Sequence, residues 1–230
     1  MGREDRTPPE TLRLPDDGPW RVRVVPNLYP AFGRQEVVVH APEHVRSLAE
    51  LGDDQLHLVA EAWRRRRIDA PEGYLFACVN EGREAGASLA HSHSQLVWFR
   101  DIPPTVAHER ELNRLLEGTS VIEREGLRVV CPTAARAPYE TRIAPAEPQA
   151  DAYASGLLPA ALRLLADLIR RLHRLEGPVP LNAWLHAGSP WHLHVLPRLT
   201  VAAGIELGAG VEINPLPPEQ AAERLRDALK

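Results

Sequence analysis

The chain has 230 residues, of which 44% are hydrophobic and 25% charged, and its net charge is -4. This is enough chain for one large or two small packed domains, and the charge provides no strong positive field for nucleic acid or an anionic membrane. Its two cysteines, Cys78 and Cys131, lie far apart, which argues against a disulfide framework and favours the cytoplasm. No apolar stretch reaches the ~18 residues that span a bilayer, and the polar N-terminus does not resemble a signal peptide.

The first part of the chain predicts an extended lead followed by strands and one helix. Residues 1–19 are polar and rich in proline, which favours an extended lead. Alternating or apolar stretches predict strands within the following segments: 20–32, 35–44, 74–82 and 86–99.

A helix is predicted to begin at about residue 53, with Asp53 as its N-cap. Its apolar stripe consists of Leu56, Val59, Ala60 and Trp63. Four arginines at 64–67 suit a solvated last turn that interacts favourably with the helix dipole.

The second part of the chain repeats this order. A helix over 105–116 precedes strands within 127–145, a helix over 158–177 closed by Gly177, and strands within 181–199. The two "VV" pairs begin at residues 24 and 129, and the second histidines of two His-x-His pairs are residues 93 and 194. This spacing predicts two copies of one strand-strand-helix-strand-strand unit.

The stretch GASLAHSHSQLVWF, residues 86–99, predicts a nucleophilic site. Alternate side chains of a strand share a face, so His91, His93 and Gln95 project together, away from Ser92 and Ser94. The preceding glycine-rich stretch supplies backbone N–H donors for phosphate, an imidazole can attack phosphorus, and an amide can donate to phosphoryl oxygens. The alternative is a pair of half-buried structural histidines.

A second His-x-His pair, His192 and His194, also shares a strand face, and His186 lies nearby in the sequence. Three imidazoles are suitable ligands for zinc or iron, and each needs an acceptor for its other nitrogen. The alternative is a polar strand satisfied by its neighbours. Four further histidines lack such a context and are predicted at surface or helix positions: His40, His57, His108 and His173.

The segments GASLAHSHSQ, VVPNLYPAF, VVVHAPEH and LPRLTVAAGIELGAGVEINPLPPEQAAERLR resemble the galactose-1-phosphate uridylyltransferase family, a two-unit branch of the histidine triad superfamily. The resemblance covers about residues 20–228. It implies an α+β fold of two tandem histidine-triad-like units, 20–104 and 105–230, with antiparallel sheets and packed helices, and a homodimer. It also implies transfer of a nucleoside monophosphate, UMP in the UDP-glucose–hexose-1-phosphate reaction of galactose metabolism, through a covalent histidine intermediate.

By motif position the resemblance assigns the nucleophile to His93 and a phosphate contact to Gln95. It implies substrate contacts at Asn27, Asn80, Gly86, Ser88 and Glu206. It further implies that Glu109 completes the metal site of His186, His192 and His194.

The resemblance also implies a second zinc site, in which His44 and His91 join an upstream Cys-x-x-Cys. The chain contains no Cys-x-x-Cys, so the two histidines predict only a weak half-site, since structural zinc sites have four ligands. Either the start codon is misplaced or half of the site has been lost.

Two other functions stay open. HSHSQ, in place of the family's HPHGQ, favours an ADP-sugar phosphorylase or adenylyltransferase that uses phosphate as acceptor, so the base is open between uracil and adenine. A catalytically silent nucleotide-binding module is favoured by the missing cysteines. It is opposed by the joint presence of His93, Gln95, Ser88 and Asn80, because binding alone requires no nucleophile.

Overall fold

The structure is a computed structural model that describes residues 7–111, 116–188 and 190–229. Its strands, in chain order, are β1 (Leu12–Leu14), β2 (Val22–Pro26), β3 (Arg34–Val39), β4 (Tyr74–Glu81), β5 (His93–Phe99), β6 (Gly118–Arg124), β7 (Leu127–Pro132), β8 (Thr141–Pro145), β9 (Leu181–His186) and β10 (His192–Pro197). Its helices are α1 (Asp53–Asp69), α2 (Pro104–Glu111), α3 (Leu158–Glu176), α4 (Gly204–Ala209) and α5 (Pro218–Asp227). Among the described residues, no helix has the length and apolar character that a membrane span requires.

The strands form one sheet in the order β1-β2-β3-β5-β4-β9-β10-β8-β7-β6, and the paired strands are antiparallel. From the central pair β4–β9 outwards, one half runs β4, β5, β3, β2, β1 and the other runs β9, β10, β8, β7, β6. The two halves therefore order their strands in the same way. The predicted mixed fold, an antiparallel sheet with packed helices, is confirmed, and the unit boundaries at residues 20 and 105 stay predictions.

Helix α1 begins where the sequence predicts, but Gly52 is its N-cap and Asp53 lies in its first turn. The predicted apolar stripe is buried, with Leu56 and Val59 fully inaccessible. The prediction for the arginine run is wrong at Arg66, which is only 4% exposed. Its Nε donates to Glu36 Oε2 over 2.8 Å, so this arginine joins α1 to β3 through a buried ion pair.

Helix α3 ends at the predicted residue, since Gly177 is its C-cap with a φ of 77°. A side chain other than glycine would be strained in that conformation. Its leucine-rich face is buried with α1 and one face of the sheet in a single core. The opposite face of the sheet is left for the polar side chains described below.

Several elements differ from the sequence predictions. The predicted lead contains β1, which pairs with β2, and its residues 1–6 lie outside the described residues. The helix predicted over 105–116 is observed as Pro104–Glu111, and residues 112–115 lie outside the described residues. The patterns did not predict β6, α4 or α5.

Candidate active site and metal cluster

The histidine motif lies at the N-terminal end of β5, an inner strand of the sheet. Strand β5 begins at His93, so His91 precedes the strand rather than belonging to it. His93 and Gln95 share the face that α1 and α3 leave open, as predicted, because strand side chains alternate. Ser94 points the other way, since it accepts a hydrogen bond from Trp63 Nε1 of α1 over 2.8 Å. The local sequence therefore presents an imidazole and an amide side by side.

A hydrogen bond determines which ring nitrogen of His93 carries the hydrogen and which has a free lone pair. Its Nδ1 lies 2.8 Å from the backbone oxygen of His91. Because a carbonyl only accepts, Nδ1 must carry the proton, and Nε2 is left with its lone pair. The backbone thus holds the neutral tautomer that a nucleophilic histidine requires.

His40 was predicted at a surface or helix position, and that prediction is wrong. It follows β3 and is completely buried. Its Nδ1 lies 2.9 Å from Ser92 Oγ and its Nε2 lies 3.0 Å from Ser94 Oγ. Burial, followed by the neighbouring His93 and His91, lowers the pKa of His40 well below its usual value. A neutral imidazole therefore links the two serines that flank His93.

The glycine-rich loop before β5 lines a cavity of about 440 Å³ together with Asn80, Ser88 and His91. Gly82 has a φ of 85° and Gly86 a φ of 84°, a backbone conformation that favours glycine. Two predicted substrate contacts, Asn80 and Ser88, therefore line one cavity, and Gly86 shapes the loop beside it.

The other two predicted substrate contacts lie elsewhere. Asn27 follows β2, and its Oδ1 accepts a hydrogen bond from the Tyr29 backbone over 3.0 Å. Glu206, in α4, lines a separate cavity of about 230 Å³ with Arg136 and Arg198. Its Oε2 accepts from the backbone of Ala203 over 3.0 Å. The structure does not bring Glu206 into the cavity of Asn80 and Ser88.

The second His-x-His pair belongs to a cluster that we call the histidine–glutamate cluster: Glu109, His186, His192 and His194. One ligand atom from each lies within 4.8 Å of all the others. Glu109 Oε2 is 2.5 Å from His186 Nδ1, 3.3 Å from His192 Nε2 and 3.2 Å from His194 Nε2. Strands β9 and β10 and helix α2 thus direct four ligand atoms to one point.

The protonation of this cluster suits a metal ion. Burial would raise the pKa of Glu109, but hydrogen bonds from the three histidines hold it well below its usual value. Burial lowers the pKa of His194 to about 3, and burial also lowers the pKa of His186 despite the opposing bond to Glu109. At neutral pH Glu109 is therefore a carboxylate and His186 and His194 are neutral imidazoles, which are the forms that bind metals.

The contacts within the cluster also fit a cation. His192 Nε2 and His194 Nε2 face each other at 2.8 Å, so without an ion one of these two nitrogens must carry a hydrogen and donate it to the other. The Nδ1 of His192 has the predicted acceptor, Pro190 O at 3.2 Å. His194 Nδ1 is buried and has no hydrogen-bond partner among the described residues. Among the described residues, the predicted outer acceptor is therefore found for His192 but not for His194.

The structure also brings the two histidines of the predicted half-site near each other. The rings of His44 and His91 lie 5.5 Å apart between centroids, and His91 Nε2 donates to Ala41 O over 2.9 Å. Within the described part of the chain, only the histidine–glutamate cluster brings three or more potential ligands together. Two imidazoles alone do not provide the four ligands of a structural zinc site.

Comparisons with known proteins agree with these features. Residues 26–104 match the model of the galactose-1-phosphate uridyl transferase N-terminal domain. The chain is 28% identical to an ADP-glucose phosphorylase of Arabidopsis thaliana, over 99% of this chain and 80% of that protein. It is 29% identical to a galactose-1-phosphate uridylyltransferase of Streptomyces lividans, over 92% of this chain and 75% of that protein.

A solved structure gives the same result for the fold. The crystal structure of an ADP-glucose phosphorylase from Arabidopsis thaliana with bound ADP-glucose matches with a TM-score of 0.89 and 26% identity, covering 99% of this chain and 89% of that one. The matches include the histidine motif and extend over both halves of the sheet. The chain is therefore similar to galactose-1-phosphate uridylyltransferases and to the related ADP-glucose phosphorylase over nearly its whole length.

Proposed function

We propose that this protein is a nucleotidyltransferase in which His93 Nε2 carries a nucleoside monophosphate. The observation that carries the proposal is the bond from His93 Nδ1 to the His91 carbonyl. Nε2 attacks the α-phosphorus of a sugar nucleotide, a nitrogen–phosphorus bond forms, and the bond to the departing sugar 1-phosphate breaks. The carbonyl stabilises the positive charge that develops on the ring. An acceptor oxygen then attacks phosphorus and displaces His93.

The charge around the cavity supports an anionic substrate. Arg46 and Arg83 line the same cavity as Asn80 and Ser88, and neither guanidinium has an ion-pair partner in the described part of the chain. Unpaired guanidinium groups beside backbone N–H donors are suited to phosphate oxygens. This arrangement supports the predicted substrate contacts at Asn80 and Ser88, whereas the Gly86 N–H already donates to Arg83 O over 3.0 Å.

Two pairs of donor and acceptor fit this chemistry. The first is UDP-glucose with a hexose 1-phosphate, the uridylyl transfer of galactose metabolism. The second is an ADP-sugar with inorganic phosphate, and one observation favours it: the matched ADP-glucose phosphorylase structure, which contains ADP-glucose, aligns with 99% of this chain. In both, the intermediate is a nucleoside monophosphate bonded to His93, and only its base and the acceptor differ.

The histidine–glutamate cluster is proposed to hold one divalent cation, and zinc suits its ligands. With four protein ligands the ion would be structural, since a catalytic metal keeps an open position. It would fasten α2 to β9 and β10.

We also propose a homodimer. The exposed apolar side chains of α4 support it, since Ile205 is 62% and Leu207 is 77% exposed. Light scattering that gives a monomer mass would contradict it. A cytoplasmic location stays a prediction from the cysteine content.

The decisive experiment is to incubate the protein separately with UDP-glucose and ADP-glucose and to measure its intact mass. A gain of one UMP or one AMP identifies the base, and His93→Ala should gain neither. The matched control is His57→Ala, which removes an exposed histidine of α1 and should leave the adduct intact. Absence of an adduct with both donors, or an adduct that survives in His93→Ala, would contradict the mechanism and favour the silent nucleotide-binding module.

A further inference from the structure

Gln95 and Asn80, two side chains of the candidate site, end in a primary amide. Such a group presents either an NH2 donor or a carbonyl acceptor, and its terminal torsion is broad and roughly two-fold. A phosphoryl group offers only acceptor oxygens to it, so it is bound only when the NH2 faces the site. The orientation of each amide must therefore be decided by its other neighbours.

For Gln95 the deciding contact begins at a backbone group of the β2–β3 loop. The backbone nitrogen of Ala31 donates to Gln35 Oε1 over 2.9 Å. A backbone N–H can only donate, so this position of the Gln35 amide must be its oxygen. Gln35 Nε2 then donates to Gln95 Oε1 over 2.6 Å. Gln95 Nε2 is consequently turned away from Gln35, and it has no partner among the residues that the structure describes.

For Asn80 the deciding contact begins at a backbone carbonyl. Asn182 Nδ2 donates both to Ala85 O and to Asn80 Oδ1, each over 2.8 Å. A carbonyl can only accept, so this position of the Asn182 amide must be its nitrogen. The oxygen of Asn80 is therefore engaged, and its Nδ2 is left as a donor beside the glycine-rich loop.

We propose that Gln35 and Asn182 are positioning residues that fix the Gln95 and Asn80 amides as donors and so bias the site towards phosphoryl oxygens. Each relay begins at a backbone group, whose polarity no side-chain rotation can invert. The two relays lie on different strands, β3 and β9, and reach the same result independently. The choice of phosphoryl groups as ligands rests on the proposed function, whereas the orientation of the amides is a property of the free protein.

The substitution Gln35→Glu tests the first relay with almost no change of shape. One carboxylate oxygen still accepts from Ala31, but the other would oppose Gln95 Oε1, so the Gln95 amide should turn over and present its carbonyl to the site. Loss of one such donor typically costs about 100-fold or more in rate. We expect the single-turnover rate of adduct formation to fall by about 100-fold, while the melting temperature stays close to that of the wild type.

A double-mutant cycle separates orientation from charge. If the relay acts through Gln95, then Gln35→Glu should lower the rate less than about threefold in a Gln95→Ala background. A carboxylate that simply repels the anionic substrate would lower the rate equally in both backgrounds, and that result would overturn the proposal.

A measurement on the free protein keeps the inference independent of the proposed function. The side-chain amide protons of Gln95, followed by NMR, should exchange freely with water in the wild type and be protected in Gln35→Glu, where they would bond the new carboxylate. Unchanged exchange would overturn the proposal even if no substrate reacts. A missing adduct with this change in exchange would contradict only the proposed function.

Asn182→Asp tests the second relay. The new carboxylate would place an oxygen opposite Ala85 O and Asn80 Oδ1, and these oxygens would repel it. The Asn80 amide should therefore turn over and donate to the carboxylate. We expect the dissociation constant of the donor sugar nucleotide to rise about tenfold, as for loss of a hydrogen bond to a charged group, and the effect to disappear in an Asn80→Ala background. A tenfold rise that persists in that background would contradict the role of Asn182.

Discussion

Replacing His192 with alanine should empty the histidine–glutamate cluster and lower the melting temperature of the protein. The donor atoms are almost correctly spaced for an ion. Zinc bonds of ~2.0–2.1 Å in a tetrahedron set donor–donor separations near ~3.3 Å. The hydrogen-bonded separations run from 2.5 Å, for His186 Nδ1 and Glu109 Oε2, to 3.3 Å, for His192 Nε2 and Glu109 Oε2. These values lie within about 1 Å of the ideal separation, and all four ligand atoms lie within 4.8 Å of one another.

The expected size of the effect follows from mass action. An ion present at about 1,000 times its dissociation constant stabilises the folded state by ~4 kcal/mol. For a chain of this length each kcal/mol shifts the melting temperature by about 2–4 °C. Loss of the ion should therefore lower the melting temperature by roughly 8–16 °C. The remaining three ligands, all partly or fully buried, would hold the ion weakly.

Elemental analysis of the purified protein should give about one ion per chain and identify the metal. His192→Ala should lose that ion, and a chelator should lower the melting temperature of the wild type but change that of His192→Ala little. His44→Ala is the matched control, because His44 belongs to the exposed half-site, and it should change neither the metal content nor the melting temperature. A protein without metal, or an ion that survives loss of His192 but not of His44, would refute the assignment.

Two further predictions concern pH and charge. The buried His40 resists protonation, whereas in the unfolded chain it titrates near pH ~6.5, so its contribution to the free energy of unfolding is complete above that pH. The contribution should fall as the pH drops further, by up to ~1.4 kcal/mol per pH unit. Denaturant unfolding between pH 5 and 7.5 should show that the free energy of unfolding depends less steeply on pH in His40→Phe than in the wild type. Equal pH dependence in the two proteins would contradict the assignment. Arg83→Ala should raise the dissociation constant of the sugar nucleotide about tenfold, more at low salt than at high salt, whereas a salt-independent effect would argue against direct contact with a phosphate.

Much of the sheet could be predicted because its strands carry their own signals. Strands β2 to β5 and their counterparts β7 to β10 are apolar or alternating, and α3 combines a leucine-rich stripe with a closing glycine. The proposed pair of metal ligands on β10 followed from the period of a strand, since His192 and His194 must share a face. Glu109 did not follow from any pattern, because it comes from a different element, and only the family resemblance assigned it.

Polar residues buried along β3 explain why the predictions for His40 and Arg66 were wrong. Glu36, Val38 and His40 all point towards α1 and are at most 3% exposed. Their period of two is a strand signal, but two of the three are polar, and polar residues are expected at the surface. Burial depends on partners that are distant in sequence: Arg66 for Glu36, and Ser92 and Ser94 for His40. A single sequence does not reveal such pairs.

The positioning residues were missed for a related reason. Gln35 and Asn182 belong to predicted strands, but nothing in the sequence around them indicates a role. Their role depends on register, which places Gln35 two residues from the Val37–Gln95 pair and sets Asn182 opposite Asn80. Register follows from the whole sheet, so the candidate site could be predicted as far as its motif and not as far as the residues that orient it.

The two halves of the sheet fix their functional strands by different means. On its helix-facing side β5 is polar, and Ser94 forms hydrogen bonds with both Trp63 and His40. Under β10 the same side is apolar, since Leu193 and Val195 are fully buried in the core. A buried polar network is favourable only when all its members are satisfied, but it then enforces one geometry. That property suits β5, where the proposed nucleophile must hold its position without a ligand. In β10 the proposed four-ligand ion would fix the histidines, so the helix-facing side of that strand needs only apolar packing.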